Sequence, residues 1–177
     1  MWYVIQTDTG REQELVGCVD RVLQRTNYKE CFIIERECVW RNAGRLIVYQ
    51  KPLFPSYVIV DTDEPEAFFL ALKQIPKLAK LLRTDCEFWK IQEEEQKLLS
   101  WMMGWDSIDD KHHSYHVPRS LVILDENGII RKADGPLARF VDKIVRKRIR
   151  KRVVTVEVEL MGEKRKIELG IRLTEDE

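Results

Sequence analysis

VVTVEVELMGEKRKIELGIRL, residues 153–173, decides the fold of the C-terminal part of this chain. Val154, Val156, Val158 and Leu160 alternate with Thr155, Glu157 and Glu159. After Gly162, Ile167, Leu169, Ile171 and Leu173 alternate with Glu168, Gly170, Arg172 and Thr174. A period of two places the apolar set on one face of a strand and the polar set on the other. Two such runs joined across Gly162, with a further strand at Leu121 to Leu124, predict a small β-barrel of about 55 residues. The clean alternation also argues against a helical C-terminal part.

Immediately upstream lies KIVRKRIRKR, residues 143–152, in which seven of ten residues are basic. The formal net charge of the whole 177-residue chain is zero, so this run makes a neutral protein polarised. Residues 1–110 carry a net of −5 and residues 111–177 a net of +5. Such asymmetry points to an acidic partner for the basic half, nucleic acid first. From Arg131 to Arg152 there are 10 basic and 2 acidic residues, whereas a merely solvated face would mix the signs. Lys143, Arg146, Lys147, Arg148, Arg150, Lys151 and Arg152 are therefore the expected phosphate contacts, with Lys132 and Arg139 extending the patch. Arginine can also stack on, or fork to, the exposed bases of a hairpin loop.

Residues 1–105 read differently. Trp2 to Thr7 is a strand closed by Asp8-Thr9-Gly10, and Arg11 to Gln24 spaces Leu15, Val19, Val22 and Leu23 as an amphipathic helix. Cys31 to Trp40 and Arg45 to Tyr49 read as strands joined by a loop at Arg41–Gly44. Tyr57 to Val60 follows as a buried strand. Asp63-Glu64-Pro65-Glu66 starts a helix running to Gln74, and Glu93-Glu94-Glu95 starts another through Leu98, Leu99, Trp101 and Met102. Strands interleaved with helices predict an α+β sandwich. Asp106 to Pro118 is polar and reads as a linker, giving a first domain at 1–105, a linker at 106–118 and a second domain at 119–177.

The remaining chemistry is sparse. Cys18, Cys31, Cys38 and Cys86 form no CxxC pair and are expected to be reduced, mostly buried thiols. The first residues read as a strand rather than an export signal, and no apolar run approaches a membrane span, so the expected compartment is the cytoplasm and no membrane partner is expected. His112, His113 and His116 cluster near Asp109 and Asp110 but read as a solvated linker, so no metal site is expected. No phosphate-binding glycine loop, nucleophile elbow or HExxH occurs. Neither an enzyme nor a cofactor is expected.

Three motifs in order carry a resemblance across nearly the whole chain: Trp2-Tyr3-Val4 before a helix, Phe54-Pro55-Ser56-Tyr57 before a core strand, and Asp134-Gly135-Pro136 to Phe140 followed by Gly162 and Glu168-Leu169. The chain thereby resembles the NusG/Spt5 family of transcription elongation factors. The resemblance implies an N-terminal NGN domain, an antiparallel sheet flanked by helices, and a C-terminal KOW β-barrel. It implies an NGN domain that docks an apolar depression on the clamp helices of the largest subunit of RNA polymerase and suppresses pausing. Trp2, Tyr3, Phe54, Pro55 and Tyr57 match that docking region by position, and aromatic anchors are the usual carriers of interface energy. The competing reading is that these aromatics only fill the domain core. Arg11, Arg21 and Arg25 match the surface with which some paralogues touch non-template DNA, against a reading as ordinary helix-surface charge.

Two departures from the general family pattern point to a specialised branch. Where general members carry Phe-Gly-Arg at the KOW tip, a region that meets Rho or ribosomal protein S10, this chain has Met161-Gly162-Glu163-Lys164. The aromatic is lost and an acid stands in the arginine's place, which counts against Rho and S10 as partners. The basic run is also denser than is typical. Together these are similar to the LoaP antiterminators, which act through a leader RNA element, so a leader RNA hairpin is the expected ligand of a monomer. The alternatives are a general NusG that couples polymerase to Rho or the ribosome, and a stand-alone KOW-type RNA-binding protein. The FPSY-bearing domain argues against the last.

Overall fold

The computed structural model describes residues 1–105 and 114–176. In chain order the elements are β1 (Trp2–Gln6), α1 (Glu12–Leu23), β2 (Glu30–Phe32), β3 (Glu35–Asn42), β4 (Arg45–Pro52), β5 (Tyr57–Asp61), α2 (Pro65–Gln74), α3 (Pro76–Ala79), β6 (Trp89–Lys90) and α4 (Glu93–Met102). They continue with β7 (His116–Val117), β8 (Ser120–Leu124), β9 (Ile130–Ala133), β10 (Ile144–Arg148), β11 (Val153–Leu160) and β12 (Glu163–Arg172). Contacts divide the chain into two compact units, Met1–Ile34 with Phe54–Gln96, and Glu35–Leu53 with Lys97–Glu177.

The first unit is an antiparallel sheet in the order β2-β5-β1-β6 with helices beside it. Alternation along the strands sorts their side chains. Ile5, Cys31, Val58 and Val60 share a buried cluster with Leu15 and Val19 of α1, Phe68 and Leu72 of α2, and Leu78 of α3. Trp2, Val4, Phe32 and Ile59 alternate onto the opposite face and are buried as well. Helix α1 begins without a side-chain cap, and Glu12 turns back instead. Its carboxylate accepts the backbone N–H of Gly10 at 2.9 Å and of Ser56 at 2.7 Å, fixing the Phe54–Tyr57 turn.

In the second unit, β3, β4 and β7 form a three-stranded sheet, β4-β3-β7, and the C-terminal residues form a five-stranded barrel sheet, β10-β11-β12-β8-β9. Both long hairpins close on two left-handed residues, Ala43-Gly44 between β3 and β4 and Met161-Gly162 between β11 and β12. That is the type I′ geometry whose twist matches that of paired strands. Val122, Leu137, Val154, Val156, Ile167 and Leu169 fill the barrel. Together the two units make the expected α+β fold, an NGN-type sheet with helices and a KOW-like β domain.

Several local expectations change. The strand read from Cys31 to Trp40 breaks at Ile33-Ile34 into β2 and β3, and the hairpin loop shrinks from Arg41–Gly44 to Ala43-Gly44. Strand β7 falls inside the stretch read as linker: it pairs in parallel with β3, and His116 Nε2 lies 3.0 Å from Glu35 Oε2. His116 is thus a strand residue with a carboxylate partner rather than a solvated linker histidine. His112, His113, Asp109 and Asp110 lie outside the described residues. The division at 105 and 119 follows composition, whereas the contacts group 35–53 with the C-terminal residues.

Two tight points hold the second unit together. A Cβ on Gly170 would meet the backbone oxygen of Glu37 at 2.3 Å and Cγ of Arg119 at 2.9 Å, so only glycine lets β12 pass β3. Arg152, in the left-handed conformation at φ 53°, is 4% exposed and donates to both oxygens of Asp176, each at 2.7 Å. Asp176 also accepts the Leu173 N–H at 2.8 Å. The Arg152 hydrogen bonds hold the Asp176 carboxyl below its usual 3.8 despite burial, which alone would raise it.

Gly170→Ala is expected to destabilise the protein by about 1–3 kcal/mol through forced separation of two strands, read as a lowered midpoint in thermal unfolding. Because Asp176 is depressed in the folded state, its stabilisation is present above its unfolded value and is lost as pH falls through the lowered folded value. Asp176→Asn should therefore cost about 3–5 kcal/mol at neutral pH by leaving Arg152 buried without its main partner. In strong acid the gap to wild type should close, and melting curves across the acid range check this.

Candidate nucleic-acid interface

The basic run folds into three consecutive pieces. Ile144 to Arg148 form β10, Ile149 to Lys151 a 3-10 turn, and Arg152 the left-handed residue that turns the chain into β11. Strand β10 lies at the edge of its sheet, pairing only with β11, and a bulge at Val145 shifts its register. Lysine and arginine on an edge strand have a structural use of their own, since they block pairing with a second chain.

The nine cations read as RNA contacts are not equivalent. Arg146, Lys147, Arg150 and Lys151 are exposed, as are Lys132, Arg139 and Lys143. Lys132 has Asp134 at 3.9 Å and Lys143 has Asp142 at 4.0 Å, both exposed pairs of little strength. The Arg139 guanidinium lies 3.9 Å from the centroid of the Trp101 ring. Lys147 reaches the Gly128 carbonyl at 3.3 Å. Arg148, by contrast, is bonded to Glu168, and Arg152 is buried against Asp176 and Glu175. Arg152 is therefore a structural cation with no surface to offer a phosphate.

Residues far away in sequence join this patch. Arg36, Arg41 and Lys51 of the β3–β4 hairpin face Arg148, Arg150 and Lys151 across a cleft of about 410 Å³. Glu168 lies between the two groups and binds Arg36 at 2.5 Å as well as Arg148. Among the described residues, Arg41, Arg150 and Lys151 have no carboxylate within 4.0 Å. The hairpin cations escaped sequence reading because nothing in a strand's own alternation says which sheet or loop it will face.

In the first unit the apolar candidates separate by exposure. Trp2 is 3% exposed and packs edge-on against Phe32 at 5.2 Å, and Phe54 is 5% exposed. These two are core side chains in this conformation, the reading set against docking for each of them. Tyr3 is half-buried and stacked on Phe88, Tyr57 is half-buried and edge-on to Trp89, and Pro55 is exposed. Pro55 and Tyr57 flank the strained Ser56, at φ 75°. Of the three arginines matched to DNA contact, Arg11 is bidentate to Glu14, Arg25 donates to the Lys29 carbonyl at 2.7 Å, and Arg21 is exposed. Arg11 and Arg21 share a shallow depression with Lys77 and Lys80.

All four cysteines are free, with Cys31 and Cys38 buried, and burial pushes the Cys31 thiol well up. No group of three or more potential metal ligands occurs among the described residues, and none of the described helices is long and apolar enough to cross a membrane.

Comparison with known proteins supplies the family. The family model for NusG, described as transcription termination factor nusG, matches residues 1–100. Transcription termination/antitermination proteins NusG from two Helicobacter pylori strains, 26695 and J99, are 19% and 18% identical over 173 residues, covering 95% of this chain and 93% of theirs. A solved structure of Thermotoga maritima NusG, titled for its domain interaction, is 16% identical with a TM-score of 0.50, over 96% of this chain and 92% of that one. At that identity the likeness is one of fold. The family match spans more than half of the chain, over the residues that form the sheet, helices and FPSY turn. The chain belongs to the NusG family, whose members are transcription factors and not enzymes.

Proposed function

We propose that this protein is a cytoplasmic elongation and antitermination factor, similar to LoaP, that grips RNA polymerase through residues 1–105 and binds structured leader RNA through residues 119–177. In this reading 106–118 link the two activities. The observation that carries the RNA half is the group of exposed cations Arg146, Lys147, Arg150 and Lys151, continued by Arg41 and Lys51 with one acid, Glu168, among them. Fixed cations on a folded surface bind a polyanion by releasing its counterions, and rigid placement favours a folded RNA over a flexible one. Arg148 contributes field rather than direct contact, since Glu168 already occupies it.

The polymerase half rests on family membership and on the FPSY turn. Pro55 and Tyr57 present apolar surface there, while Trp2 and Phe54 set the shape of the turn and sheet from below. The clamp helices of the largest polymerase subunit are the proposed dock. The same grip would carry Arg21, and more weakly Arg11 and Arg25, toward non-template DNA. The Met161-Gly162-Glu163-Lys164 turn disfavours Rho and ribosomal protein S10: Met161 is buried, and Glu163 pairs with Arg165 at 2.6 Å.

Fluorescence titration of the full chain with a structured leader hairpin should give affinity that falls steeply with salt. Reversing Arg146, Arg150 and Lys151 to Glu should lower affinity by about 100-fold or more and flatten the salt slope by about 2–3. Equal affinity and slope would sink the RNA assignment. Independently, Tyr57→Ser should weaken binding to purified RNA polymerase by about 30-fold, the weight of an interface hot spot. A folded Tyr57→Ser protein that still co-sediments with polymerase at wild-type strength would remove the docking assignment.

A further inference from the structure

The β3–β4 hairpin carries more than cations. In its register Trp40 lies opposite Ile47, Cys38 opposite Tyr49 and Arg36 opposite Lys51, so these six share one face. Trp40 and Tyr49 are diagonal neighbours on that face. Trp40 is 50% exposed, a large apolar surface to leave in water, and Tyr49 is half-buried with the Lys51 ammonium 5.6 Å from its ring centroid. Both rings line the same cleft as Arg150 and Lys151.

Two features separate this face from a generic apolar patch. Arg36 and Lys51 stand directly opposite each other, an arrangement of like charges that costs stability in a bare hairpin. The cations beyond the hairpin, Arg148, Arg150 and Lys151, add to that repulsion, and only Glu168 offsets it inside the cleft. A protein partner with an apolar anchor would gain nothing from such crowding. A nucleotide uses both parts at once, because its base has a face to stack and its phosphates carry the charge the cleft lacks.

We propose that Trp40 and Tyr49 form a stacking platform for an unpaired RNA nucleotide, whose flanking phosphates lie against Lys51, Arg150 and Lys151. The hairpin then reads a single-stranded feature adjoining the stem, and the edge-strand cations Arg146 and Lys147 hold the stem itself. This inference rests on the RNA-binding reading above and adds to it the kind of RNA element recognised, a stem bearing an unstacked base. Aromatic stacking tolerates any base, so this platform selects for an unpaired position more than for its identity.

The test compares two RNAs with the full chain by anisotropy titration: a blunt-ended stem, and the same stem with a short unpaired extension. Wild type should bind the extended RNA about 5- to 150-fold more tightly, the range that stacking of one base supplies. Trp40→Leu and Tyr49→Leu should each erase most of that gain while leaving affinity for the blunt stem unchanged, and Trp40→Phe should retain most of it. Quenching of tryptophan emission by the extended RNA should be present in wild type and lost in Trp40→Phe.

An unchanged gain in folded Trp40→Leu protein overturns the platform, as does a wild type that binds both RNAs equally. So does a gain seen with a deoxyribonucleotide extension and not with the ribonucleotide one, which moves the assignment from RNA to single-stranded DNA. Failure of the RNA-binding reading looks different: the wild type then binds neither stem in a salt-dependent way. Because Trp40 is half exposed, its substitution leaves the fold intact, which a thermal melt of each variant verifies.

Discussion

Glu168 binds two guanidiniums at once, and the arrangement of cations in the second unit depends on it. Arg36 comes from the β3–β4 hairpin and Arg148 from the edge strand β10, 112 positions apart in sequence. The Arg36 side chain is 9% exposed, so its charge is largely withdrawn from water and needs a fixed partner. Without the carboxylate, two buried or half-buried cations would repel across a cleft already lined by Arg41, Lys51, Arg150 and Lys151. With it, hairpin and barrel can close upon each other, and Gly170 permits the strands to touch. The outer cations keep their charge available.

That same constraint explains which basic residues can bind and which cannot. The run at 143–152 looks uniform in sequence, yet the chain must turn at its end to enter β11. Arg152 takes the left-handed conformation there and is anchored by Asp176, so it works as a clasp. Arg148, one strand position from the turn, is taken by Glu168. The edge position of β10 and the exposed 3-10 turn leave Arg146, Lys147, Arg150 and Lys151 open to water. Seven basic residues in a row of ten thus divide into structural and free ones by backbone geometry, which charge counting does not see.

Much of this architecture was legible from residue patterns. The alternation from Val153 to Leu173 foretold β11 and β12, the spacing of Leu15 and Val19 foretold α1, and Pro65 with its neighbouring acids foretold α2. What was illegible is non-local. Strand β7 is two residues long and polar at His116, so it has no period to detect; it exists because β3 offers an edge. The short α3 and β6 are likewise products of tertiary context. The hairpin's membership in the second unit, and with it Arg36, Trp40, Tyr49 and Lys51, rests on contacts more than 100 residues apart. Trp2 and Phe54 show the opposite limit: a motif reveals that aromatics are required without telling whether they face a partner or the core.

The aromatic residues therefore acquire meaning only from exposure. An indole buried at 3% contributes stability through apolar area removed from water, and a change there acts on folding before it acts on binding. An indole left half in water at Trp40 contributes little to folding while keeping an apolar face hydrated, a cost that a ligand recovers when it covers the ring. The same logic applies to charge. Arg152 lowers the energy of the folded chain, whereas Arg150, two residues earlier, raises its self-repulsion and is compensated only by an anion from outside. A half-exposed indole and uncompensated cations thus converge on one cleft, where both unfavourable terms are relieved by one kind of ligand.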